Sequence, residues 1–148
     1  MDKARKNSEY PRINKGHLTD EAQHKKDFEY LINKEISAHR RSLAYYQKSI
    51  LDVLEVDGFM LSRAFDDMFS ESGIKVLNLL YTQNLLTLSD VADLRRRSAK
   101  LTDHDILVCI DGEMTEPIKD LLGRMLEHTD ALARALEDLD ELKKKSLS

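Results

Sequence analysis

Tryptophan is absent from this 148-residue chain, cysteine occurs once, proline twice and glycine five times. One cysteine, Cys109, excludes a disulfide framework. So few turn formers leave room for few elements, which excludes an all-β fold built from many hairpins. Also missing is any apolar run of the ~18 residues that a membrane span requires. The longest uncharged stretch, Val76 to Ser89, is shorter and is interrupted by Asn78, Thr82, Gln83 and Asn84. The N-terminus is polar and basic with no apolar h-region, so no secretory signal is expected. Together with the lone cysteine this points to a reducing, cytoplasmic setting.

What is present is charge and a patterned apolar minority. Charged residues make up 34% and hydrophobic ones 41%, with 23 Lys+Arg against 27 Asp+Glu, a net charge of −4. That balance supports one ordinary domain with a core rather than a disordered chain. Residues 1–18 hold Lys3, Arg5, Lys6, Arg12 and Lys15 against Asp2 and Glu9 and have no apolar repeat, so they read as a mobile basic tail preceding a single domain, 19–148. The stretch 101–115 carries Asp103, Asp105, Asp111 and Glu113 without a base. A basic tail on an acidic body argues against nucleic acid binding by the whole chain.

The first long helix is expected over 19–57. Thr19 is a suitable N-cap, Asp20 and Glu21 suit the positive end of the helix dipole, and Leu18 would begin a hydrophobic staple. Ile32, Ile36, His39, Leu43, Tyr46, Ile50 and Val53 then recur at alternating four- and three-residue steps, the spacing of a coiled-coil seam. Asp57-Gly58 closes it with glycine just past the last turn. Residues 59–72 (Phe59, Met60, Leu61, Phe65, Met68, Phe69) read as a short helix broken by Ser70, Ser72 and Gly73. Residues 74–83 read as a helix apolar almost all round and therefore buried. Ser89 is taken to cap a helix running through Arg95, Arg96 and Arg97; Thr102 with Asp105 imitates a capping box opening another short helix that ends at Asp111-Gly112. The last helix, 116–145, opens with Thr115, Glu116 and Pro117, is striped by Ile118, Leu122, Met125, Leu132, Leu136 and Leu139, and ends in Lys143-Lys144-Lys145. Only Gly123 interrupts it.

The expected fold is all-α and bundle-like, with two long amphipathic helices framing several short ones. A first helix of roughly 37 residues spans about 55 Å, against a diameter of about 35–40 Å for a compact domain of this size. An apolar seam on so long a helix calls for a partner, and a homodimer is the expectation. Its interface would use Ile32, Ile36, His39, Leu43, Tyr46, Ile50 and Val53, with Phe59, Met60, Phe65 and Phe69 contributing.

Little points to chemistry. Glu21-Ala22-Gln23-His24 is one copy of the Glu-x-x-His motif that helical di-metal sites need twice; a solvated helix start explains it more simply. His39 and His128 lie on or beside the two apolar stripes, where a polar residue that sets register is commoner than a metal pair. Asp103-His104-Asp105 are consecutive in a first helical turn, so they point apart instead of converging on one ion. No phosphate-cradling glycine loop, nucleophile elbow or zinc spacing occurs. We therefore expect no enzymatic activity, cofactor or metal. The expected function is a protein–protein interaction module: an adaptor, regulator or chaperone-like homo-oligomer. The alternative is a small DNA-binding regulator with a degenerate helix-turn-helix at 85–110 and phosphate contacts from Arg95, Arg96 and Arg97. Asp103 and Asp105 on its second helix weigh against that.

Overall fold

A computed structural model of the chain describes residues 20–95 and 100–147. The basic tail, Leu18, Thr19, Arg96 and Arg97 lie outside the described residues. Those described form six α-helices and no strand: α1 (Asp20–Val56), α2 (Leu61–Ala64), α3 (Glu71–Gln83), α4 (Leu88–Val91), α5 (Asp103–Ile110) and α6 (Glu116–Leu147), with a 3-10 turn, Ala92–Leu94, following α4. The all-α class and the two long terminal helices agree with the sequence. Among the described residues no helix is long and apolar enough to cross a membrane.

The chain forms two compact units. One takes residues up to Ser42 together with Leu132–Ser148, and the other spans Leu43–Ala131. The long helices α1 and α6 contribute to both. In the first unit Ile32 and Ile36 are buried. In the second a single core gathers Ile50 and Leu54 of α1, Phe59, Leu61, Phe65, Met68, Val76, Leu77 and Leu80, Val91 and Leu94, Ile106, Cys109 and Ile110, and Leu122 of α6.

The end of α1 follows from three hydrogen bonds. Phe59 N–H donates to Leu54 O and Gly58 N–H to Glu55 O, while Gly58 adopts φ +94°. This is a Schellman closure, and Phe59, one residue past the glycine, is carried straight into the core.

Three expectations need correcting. The helix expected over 59–72 is only Leu61–Ala64: Phe65 is extended and forms an antiparallel backbone bridge with Arg95. Beyond it, Asp67 accepts from Phe69 N–H through its side chain and from Ser70 N–H and Oγ through its carbonyl. These local bonds offer the backbone an alternative to a helix. Ser70, read as a breaker, is instead the N-cap of α3, accepting from Gly73 N–H. Helix α3 is also one-sided. Val76, Leu77 and Leu80 are buried, whereas Lys75, Asn78 and Tyr81 are exposed. Finally, α4 is capped by Thr87, not Ser89. Thr87 Oγ1 accepts from Asp90 N–H at 3.3 Å and Asp90 Oδ2 from Thr87 N–H at 2.9 Å, a complete capping box. The helix ends at Leu94, so the arginine run is not part of it.

Gly123 has a packing reason. A Cβ there would lie 2.8 Å from Cε1 of Tyr81, whose ring rests on the α6 backbone beneath Lys119 Nζ, 5.5 Å from the ring centroid. Gly123→Ala gains about 1 kcal/mol of helix propensity but pushes against the end of a movable side chain. We expect a melting free energy within about 1 kcal/mol of wild type, with the Tyr81 ring resonances displaced in NMR spectra; unshifted Tyr81 signals would contradict the packing.

Candidate functional site

The junction that organises the 43–131 unit comes first. Asp57, at the end of α1, accepts from Thr115 N–H at 2.7 Å and from Thr115 Oγ1 at 3.0 Å, and so secures the start of α6 from 58 positions away. Met60 N–H donates to Cys109 O and Met114 N–H to Asn84 O. Asn84 ends α3 in the left-handed region at φ 68°, a conformation asparagine tolerates. These bonds fix the ends of α1, α3, α5 and α6 relative to one another.

Helix α5 stands on this frame with apolar groups on both faces. Ile106, Cys109 and Ile110 point into the core. Leu107 and Val108 face outward, 45% and 57% exposed. Val56, at the end of α1, is also exposed, and its neighbour Asp57 abuts Gly112 just beyond α5. The first turn of α5 is held by the expected capping box: Thr102 Oγ1 accepts from Asp105 N–H at 3.2 Å, and Asp105 Oδ2 from Thr102 N–H at 2.9 Å.

The backbone and side-chain hydrogen bonds from Thr102 hold the Asp105 carboxyl below its ordinary value of 3.8. A depressed carboxylate stabilises the helix start above the unfolded value, and that contribution is lost as pH falls through the folded one. In an NMR titration the Thr102 amide should therefore keep its hydrogen-bonded shift at neutral pH and lose it only below the usual carboxylate range. In Asp105→Asn the transition should be absent.

Two concavities flank these elements. An open groove of about 630 Å³ is lined by Tyr81 and by one face of α6: Asp120, Gly123, Arg124, Glu127 and His128. His128 stands edge-on to Tyr46 with ring centroids 4.5 Å apart. A smaller, less polar cavity of about 300 Å³ lies between α4 and α5, lined by Leu88, Ser89, Val91, Ala92, Arg95, Asp103 and Ile106.

The chain matches no family model, no curated protein and no solved structure. Function must be argued from geometry.

The residues expected at an oligomer interface are mostly used inside one chain. Ile32, Ile36, Ile50, Phe59 and Phe65 are buried without a second copy, Met60 and Phe69 pack against the core, and Leu43, Tyr46 and Val53 are half-buried. The seam on α1 is thus covered within the chain, and its apolar character no longer calls for a partner. His39 is half-buried, its Nδ1 2.9 Å from Glu35 O.

The nucleic-acid expectation loses its geometry. Arg95 is extended, and its guanidinium pairs with Asp103 at 2.8 Å. The connection 95–102 exceeds the ~3–4-residue turn of a helix-turn-helix. Helix α5, in the recognition position, exposes Asp103, His104, Asp105, Leu107 and Val108.

Among the described residues no three His, Cys, Asp or Glu side chains are grouped to hold a metal. Burial pushes the Cys109 thiol above its ordinary range, which disfavours the nucleophilic thiolate. What sequence reading missed is the outer face of α5. Ile106–Ile110 is a continuous apolar run, and such a run does not reveal which members face outward.

Proposed function

We propose that this chain is a non-enzymatic protein–protein interaction module, an adaptor or regulator working in the cytoplasm, that docks through the outer face of α5. The observation carrying this reading is the pair Leu107 and Val108, two adjacent aliphatic side chains half exposed on a helix whose opposite face is anchored in the core. A rigid apolar helix face is a ready anchor for a partner's helix or groove. Its rigidity comes from the Thr102–Asp105 capping box at one end and the Met60–Cys109 bond at the other.

Homo-oligomerisation belongs to this reading, but through exposed faces and not through the α1 seam. The test is sedimentation velocity across a concentration series, with a photo-crosslinking residue at position 108 and a control at Lys48, an exposed position on α1. A concentration-dependent dimer, or a heterologous crosslink specific to position 108, is expected, and either should disappear in Leu107→Asp/Val108→Asp. A monomer with no crosslink beyond the control overturns the proposal.

A further inference from the structure

The cavity between α4 and α5 has features that α5's outer face does not explain. Its floor is apolar: Val91 and Ile106 are buried core residues, and Leu88 packs against the same core. Its polar lining is confined to Ser89, Arg95 and Asp103. At about 300 Å³ it reaches the lower end of the range for small-molecule sites.

The decisive group is Arg95. One terminal nitrogen, Nη2, donates to Asp103 Oδ1 at 2.8 Å, so the guanidinium charge is matched within the chain. Its Nε, however, is buried with no hydrogen-bond acceptor. Leaving a charged group's donor buried and unmet costs more than leaving a neutral one unmet, and buried polar groups in folded proteins are nearly always satisfied. An apolar-floored cavity lined by such a residue is suited to a ligand that brings its own acceptor.

We propose that this cavity binds a small apolar molecule bearing an uncharged carbonyl, whose oxygen accepts from Arg95 Nε while its hydrocarbon part rests on Val91, Ala92 and Ile106. An uncharged acceptor is preferred to a carboxylate because the arginine's charge is already matched by Asp103, whose own carboxylate borders the cavity and repels a second anion. Such binding makes the module ligand-responsive, since α5 forms one wall of the cavity and also carries Leu107 and Val108.

The test uses three probes of one shape on the full chain: benzamide, benzoate and toluene, followed by methyl NMR at Val91, Ala92 and Ile106. Benzamide should give saturable shifts at millimolar concentration, with toluene and benzoate each weaker by about tenfold, the worth of one hydrogen bond to a charged group. Arg95→Lys keeps a cation for Asp103 but removes Nε; it should weaken benzamide about tenfold and leave toluene unchanged. Ala92 is exposed, so Ala92→Leu should fill the cavity mouth and abolish all three without unfolding. Equal binding of the three probes, or benzamide binding indifferent to Arg95→Lys, overturns the proposal, as does the absence of saturable shifts in a folded wild-type protein. The crosslinking at position 108 is read separately, so failure of one proposal is distinguishable from failure of the other.

Discussion

Gly112→Ala should destabilise the fold by about 3 kcal/mol, the upper end of overpacking penalties, and lower the melting temperature by roughly 10 °C. A Cβ at this position would collide with the carbonyl oxygen of Asp57 and stand 3.1 Å from Cε2 of Phe59. The obstacle is backbone on the α1 side and a core ring on the other, so neither can swing aside. The contrast with Gly123 is informative, because there the added methyl meets only the end of Tyr81. The collision also displaces the residue whose carboxylate holds Thr115, so the start of α6 should loosen with it. Thermal denaturation with amide exchange at Thr115 is the measurement. An unshifted melt with Thr115 still protected would show that Gly58–Gly112 is not a tight crossing.

Phe59→Ala should cost about 3–5 kcal/mol, the range for removing a buried aromatic ring. The ring is fully buried in the 43–131 unit, beside Leu54 and Leu61 in the same core. Because the loss lies within one chain, the difference in melting temperature between variant and wild type should be the same at low and high protein concentration. An interface residue would behave differently, its effect growing where association contributes to stability. A concentration-dependent difference would return Phe59 to the role its place in a Met/Phe-rich stretch suggested.

The parts of the fold legible in the sequence are those whose cause is local. Gly58 past the end of α1, the Thr102/Asp105 box and the Thr115-Glu116-Pro117 opening each act within one helical turn, and all three lie where expected. Ser70 and Ser89 show how such signals mislead. Serine serves equally as breaker and as cap, and at 87–90 two candidate caps stand side by side; Thr87 prevails because Asp90 lies three residues after it to complete the box. The Asp57–Thr115 contact could not be read at all, since nothing in either residue's surroundings indicates a partner 58 positions away. For the candidate site, the apolar character of 106–110 was visible but its outward half was not, and Arg95 drew attention only as one member of a basic run. Its pairing with Asp103 and its unmet Nε arise from the extended backbone at Arg95, which no helical periodicity signals.

The Asp57–Thr115 bond carries one more consequence. Because α1 ends and α6 begins a single hydrogen bond apart, residues 58–114 leave the long helices and return to the same point. Within the 43–131 unit the two helices then run back along each other, as the contact between Tyr46 and His128 shows. In topological terms they form a helical hairpin whose connecting loop has expanded into a miniature subdomain, an insertion with coincident ends. Such an insertion can change its length and surface while the supporting stem stays as it is.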